Sequence, residues 1–133
     1  MLRLLFLTLS FLALEALQDL ENDPKIIKWI ELTAPYNDWC MKEFQVSPAD
    51  IEKVVILHKA PSNRKFACYL NCLYEALGLF DDHHQFKQSA LVDTFFYINE
   101  DMANVCTAAA NLKNDHCTQS IILGKCIEYK LYG

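Results

Sequence analysis

Thiols and imidazoles are the groups in this chain that could do chemistry. Six cysteines stand at positions 40, 68, 72, 106, 117 and 126, and four histidines at 58, 83, 84 and 116. An even set of thiols behind an export signal forms disulfides, the chemistry of an oxidising compartment. The run Asp81-Asp82-His83-His84 offers metal donors and two imidazoles that titrate near neutral pH. It lacks the ligand spacing of a structural metal site and reads as a solvated loop, with a pH-sensitive segment beside a pocket as the alternative. Asp115-His116-Cys117 looks like a catalytic fragment, but Asp115 serves better as a helix cap and Cys117 as a disulfide partner. His58 is expected to face solvent. No G-x-S-x-G, phosphate-binding glycine loop, H-E-x-x-H or EF-hand pattern occurs, nor the glycine-rich calcium loop of a secreted phospholipase. No catalytic residue, metal site or cofactor is assigned, and the chain reads as a non-enzyme.

The thiols must be placed by a chain of 133 residues, one domain's worth. Its start, MLRLLFLTLSFLALEA, carries Arg3, an apolar run over 4–14 and a small residue at Ala16. That is a secretory signal peptide over residues 1–16, with a retained membrane anchor as the other reading. Residues 17–133 are then the folded domain, secreted and extracellular. The net charge of −5 with no basic stripe argues against nucleic acid and anionic membrane surfaces. No Asn-x-Ser/Thr acceptor occurs.

Helical signals fill the rest. Asn22-Asp23-Pro24 caps a first helix whose stripe runs Ile26, Ile27, Ile30, Tyr36, Trp39, Cys40, Phe44, and Pro35 should kink or split it. Ser47, Pro48 and Asp50 open a second helix facing inward through Ile51, Val54 and Val55. Ala60-Pro61-Ser62-Asn63 interrupts, and Arg64 opens a third that ends at Gly78. On this central helix Phe66, Leu70, Leu73 and Leu77 share one side, while Cys68 and Cys72 lie nearly opposite. A short helix is expected over 85–92, then a helix end or extended stretch over Thr94–Ile98. Asn99 caps a helix through Leu112 with Met102, Val105, Cys106, Ala109 and Leu112 inward, and Asp115 caps a last one from His116 to about Tyr129. The fold class is all-α, about six helices.

Cys68 and Cys72, one helical turn apart, sit too far from each other to bond while the helix is intact. Cys117 and Cys126 point to opposite sides of theirs. Six cysteines allow 15 pairings, and removing these two local bonds leaves ten open.

The spacing Cys40-x27-Cys68-x3-Cys72-x33-Cys106-x10-Cys117-x8-Cys126, on an all-helical chain behind a signal peptide, resembles the insect odorant-binding protein family. The x3 and x8 gaps are the specific part, and the VSPAD start of the second helix and the glycine after the third cysteine also fit. The resemblance covers the whole mature chain. Two departures are a somewhat short interval between the third and fourth cysteines and a tail of only seven residues after Cys126, too short for a long plug. The resemblance implies the pairs Cys40–Cys72, Cys68–Cys117 and Cys106–Cys126. Each such link contributes about 3–4 kcal/mol, against a usual total of about 5–15 kcal/mol. Three interlocking staples can therefore support a domain built around a hydrophobic cavity.

The candidate lining of that cavity is Phe66, Leu70, Leu73, Tyr74 and Leu77 from the central helix. Met102, Val105 and Ala109 join from the next, and Ile122, Leu123 and Ile127 from the last, with Leu131 and Tyr132 as partial cover. For each the ordinary alternative is a packed core. Tyr74, Tyr97, Tyr129 and Tyr132 are the available hydroxyls. A guest of about a dozen carbons would bury on the order of 300–400 Å², for micromolar affinity after the cost of immobilising it. The function expected is a secreted carrier of small hydrophobic, odorant- or pheromone-like molecules, with an odorant receptor or other membrane protein as a further partner it allows. The alternative is a secreted helical interaction or sequestration protein of venom, saliva or haemolymph acting on a protein partner or receptor. Oligomeric state is left open.

Overall fold

The computed structural model describes residues 22–133, so the signal peptide expected over residues 1–16 lies outside the described residues. These form six helices: α1 (Pro24–Phe44), α2 (Pro48–Leu57), α3 (Arg64–Ala76), α4 (Gln88–Thr94), α5 (Glu100–Asn111) and α6 (His116–Tyr132). No strand occurs among the described residues; the one β-bridge pairs Phe80 with Phe86.

The caps account for most boundaries. Asp23 accepts the Lys25 N–H at 2.9 Å, and Pro24 follows as the first helical residue. Ser47 and Asp50 form a reciprocal capping box at the start of α2. Asn63, Asn99 and Asp115 accept N–H groups of Phe66, Met102 and Thr118 at 2.9, 2.8 and 2.7 Å. Gly78 stands just past α3 at φ +71°, a left-handed turn that lets Leu79 N–H bond back to the Tyr74 carbonyl at 3.1 Å.

Three boundaries differ from expectation. The α1 helix runs unbroken through Pro35. The proline strips the Glu31 carbonyl of its N–H partner, but Glu31 is exposed and water can replace it. The short helix begins at Gln88 rather than residue 85, because residue 86 is held extended: Asn111 donates to the Phe86 carbonyl and accepts its N–H at 3.2 and 2.9 Å. The last helix continues to Tyr132, beyond the expected Tyr129.

The central helix α3 buries eight of its residues, from Phe66 to Tyr74, and packs against α6 on one side and α1 on another. α5 packs on α6, and α4 on α5. All six cysteines are joined: Cys40–Cys72, Cys68–Cys117 and Cys106–Cys126, with Cα separations of 5.8, 4.5 and 5.5 Å. These are the pairs the resemblance implies. Cys72 ties α3 to α1 and Cys68 ties it to α6, so the two neighbouring thiols of one helix hold different partners.

The interior has two halves. Leu73, Leu79, Leu91 and Leu123 are fully buried and fill the space between α3, α4, α5 and α6. The other half, bounded by α1, α2, the start of α3 and the end of α6, packs around an apolar pocket. The inward face of α5 is rotated from the expected one: Ala103, Cys106, Thr107 and Ala110 are buried, whereas Val105 is 48% exposed and Leu112 is 82% exposed. The Cys106–Cys126 bond turns the small residues, rather than the larger ones, toward α6.

Candidate ligand-binding cavity

That half holds an open-sided cavity of about 160 Å³. Helix α3 supplies Phe66, Tyr69, Leu70 and Tyr74; α6 supplies Gly124, Ile127, Glu128, Leu131 and Tyr132. Ile26 and Trp29 come from α1, and Phe95, Tyr97 and Ile98 from the turn after α4. The remaining wall is α2 with its Ile51, Val54 and Val55, followed by His58 and Ala60. A second, more polar hollow of about 480 Å³ adjoins it and shares His58, Ala60, Glu128 and Tyr132, which mark the mouth.

The wall is apolar and aromatic. Trp29 meets Tyr74 edge-on at 6.0 Å and stacks on Phe95 at 6.1 Å. Burial pushes the Tyr69, Tyr74 and Tyr97 hydroxyls well above the usual phenol range, so they remain neutral donors. Tyr69 donates its hydroxyl to Asn37 of α1, which bolts α3 to α1 beside the cavity. The Tyr74 oxygen lies at the wall beside Gly124, where a Cβ would stand 3.2 Å from it.

Polar groups gather at the mouth. Tyr132 donates to Asp23 at 2.9 Å, its ring stacks on His58 at 3.8 Å, and the Lys25 ammonium sits 5.5 Å above it. This closes the end of α6 onto the start of α1. Burial would raise the Asp23 carboxyl, but the Lys25 N–H, the Tyr132 hydroxyl and the Lys25 charge together hold it below its ordinary value. Glu128 accepts the Ala60 N–H at 3.0 Å, which anchors the chain after α2, and burial lifts its pKa. His58, expected in solvent, is half-buried here. The cavity wall offers no set of three metal ligands among the described residues.

Of the thirteen residues expected to line a pocket, Phe66, Leu70, Tyr74, Ile127, Leu131 and Tyr132 are on the wall. Leu73 and Leu123 are fully buried in the solid half, and Leu77, Met102 and Ile122 are partly buried against it. Ala109 is half-buried and Val105 exposed, both off the wall. The Ile51, Val54, Val55 stripe of α2 was an available signal for the missing wall. From the turn after α4 only the Tyr97 hydroxyl was flagged; Phe95 and Ile98 had no signal, because a turn has no periodic face.

Among protein-family models, the one described as PBP/GOBP family matches residues 28–130. No curated protein matches the chain.

Proposed function

Because the chain belongs to the PBP/GOBP family, a family of small soluble odorant- and pheromone-binding carriers, we propose that it is a secreted carrier that holds one small hydrophobic molecule in the cavity between α1, α2, α3 and α6. The observation that supports this reading is the apolar, open-sided cavity beside a disulfide-stapled solid half. Crosslinks stabilise what the missing side chains do not, so the space need not be filled for the fold to persist. No helix among the described residues is long and apolar enough to cross a membrane.

The cavity sets the size of the guest. Its volume of about 160 Å³ is close to the roughly 150 Å³ that admits benzene in an engineered apolar core, and below the roughly 300–1,000 Å³ of drug-sized sites. A molecule of about six to ten heavy atoms fits the wall as it stands, and the dozen-carbon guest expected from sequence must extend through the open side or displace α2. Burying about 200 Å² of apolar surface contributes roughly 5 kcal/mol before the cost of immobilisation. Such binding is weak enough to release, as a carrier must. Tyr74 and Tyr97 offer hydroxyls to an alcohol, aldehyde or ester head group, and Glu128 with His58 offers a polar mouth.

Displacement of an apolar fluorescent probe by short alcohols, aldehydes and esters tests the reading. Binding at one site per chain, abolished by Gly124→Leu in a protein with unchanged far-UV circular dichroism, is the expected result. A probe that does not bind, or that binds the Gly124→Leu variant equally well, rejects it. Native mass spectrometry before and after lipid extraction identifies any guest carried through purification.

A further inference from the structure

On the far side of α3 from the cavity, three side chains distant in sequence converge. Glu75 lies in the last turn of α3, His84 in the loop that follows, and His116 is the first residue of α6. One donor atom from each lies within 4.8 Å of the other two. His84 Nε2 is 3.7 Å from Glu75 Oε1, and the His84 and His116 rings stack at 3.3 Å. We propose that Glu75, His84 and His116 form a binding site for a divalent transition-metal ion of the zinc or copper type, its remaining positions taken by water.

The donor chemistry chooses the ion. Two imidazoles and one carboxylate are the ligand set of zinc sites that keep an open fourth position. Imidazole favours zinc, copper and nickel, whereas calcium and magnesium need an oxygen-rich shell that is absent here among the described residues. Bonds of about 2.0–2.2 Å at tetrahedral angles put ligand atoms about 3.4 Å apart. The His84–Glu75 separation is already near that edge; the stacked imidazoles, whose lone pairs lie in their ring planes, converge on one ion once exposed His116 rotates off the His84 ring.

The surroundings hold the backbone positions of the three donors close together. Buried Asn71 donates to Glu75 Oε1 at 3.1 Å, its own oxygen lies 3.2 Å from His84 Nε2, and Ser120 donates to that oxygen at 3.2 Å. The Asn71–Glu75 bond aims the carboxylate, whereas the Asn71 oxygen faces the same His84 nitrogen that nears Glu75, so His84 exchanges that contact for the metal. The Cys68–Cys117 bond locks the residue next to His116 onto α3. His84 is held at φ +56°, uncommon for a residue with a Cβ. The loop sustains that conformation: Asp81 accepts the N–H groups of His83 and Gln85 at 2.8 and 2.9 Å, and the Phe80 ring stacks on the other face of His84 at 3.8 Å. The sequence drew attention to the Asp81–His84 run as a unit, but only His84 of that run takes part.

Calorimetric titration of the intact, disulfide-bonded protein with zinc chloride in chelator-treated buffer tests the site. One zinc per chain is expected, with affinity lowered about tenfold or more by His84→Gln, by His116→Gln and by Glu75→Gln, and unchanged by His83→Gln. Glu75 and His116 are exposed, so those variants keep the fold, which circular dichroism verifies. Without any variant, zinc should protect His84 and His116 but not His83 from acylation by diethyl pyrocarbonate. Absence of saturable binding, or zinc binding and protection indifferent to His84 and His116, overturns the proposal. Because the three residues lie off the cavity wall, this outcome is scored separately from that of the carrier reading.

Discussion

At the scale of single residues, the cavity is controlled by a hydroxyl, a missing methyl and a carboxylate. The Tyr74 hydroxyl is kept neutral by burial and can donate to a polar guest. Tyr74→Phe should therefore weaken a short alcohol or aldehyde about 3–10-fold, the worth of one hydrogen bond, and leave a hydrocarbon of equal size unaffected in probe displacement. Gly124 is the missing methyl: an added Cβ would lie 3.1 Å from Leu70 Cδ1 and 3.2 Å from Tyr74 Oη. Gly124→Ala gains about 0.5–1 kcal/mol of helix stability, offset by crowding at the wall. Its melting temperature should move little while affinity for an apolar guest falls several-fold. Asp23 governs the mouth. Its folded pKa is depressed, so its contribution to stability is present above the unfolded value near 4 and is lost as pH falls through the lower folded value. Glu128, raised by burial, works in the opposite sense. Asp23→Asn keeps a helix cap but not the charge, and should flatten the fall in melting temperature expected below about pH 4. These residues were partly legible in sequence: Tyr74 and Tyr132 stood out as hydroxyls, whereas nothing local marked Gly124 or Glu128 as facing a cavity.

At the scale of elements, α2 differs from the other five helices. It alone among the described helices buries no residue and is not among those that pack closely on one another, and like α4 it carries no disulfide. It is held by its capping box, by the Glu128–Ala60 hydrogen bond after it, and by its apolar stripe over the hollow. Local opening should be easiest there. Hydrogen exchange is expected to be fastest over residues 48–57 among the helices, and to slow when a guest fills the space behind them. Ser47→Ala removes a cap worth about 1 kcal/mol. It should speed exchange in α2 without moving the global transition. Caps made these helix starts readable, since Asp23, Ser47, Asn99 and Asp115 each act within three residues. The start of α4 was not readable, because Asn111, from another helix, holds Phe86 extended.

At the scale of the molecule, three covalent links hold a domain with an apolar cavity on one side of its core. Their sequence separations are 32, 49 and 20 residues. By loop entropy, removing Cys68–Cys117 should cost about 0.8 kcal/mol more than removing Cys106–Cys126, and paired cysteine-to-alanine variants in thermal unfolding give that order. The hollow should also set a length limit. Along a series of straight-chain alcohols, affinity should rise about fourfold per methylene, near 0.8 kcal/mol each, until the fixed walls are reached. The plateau then measures how far α2 yields.

The sequence by itself determined the all-α class, most of the caps, and six thiols whose spacing carried the family resemblance and with it the pairing. Those signals work within a turn or two of helix, or in the register of the cysteines, so they survive without knowledge of neighbours. Only the tertiary structure decided which apolar faces pack solid and which stand around empty space. Leu73 and Leu70 are three residues apart on one helix, yet Leu73 is sealed in the core and Leu70 faces the cavity. An apolar side chain carries the same preference for burial in either place, and its neighbours alone settle whether it meets another side chain or a void.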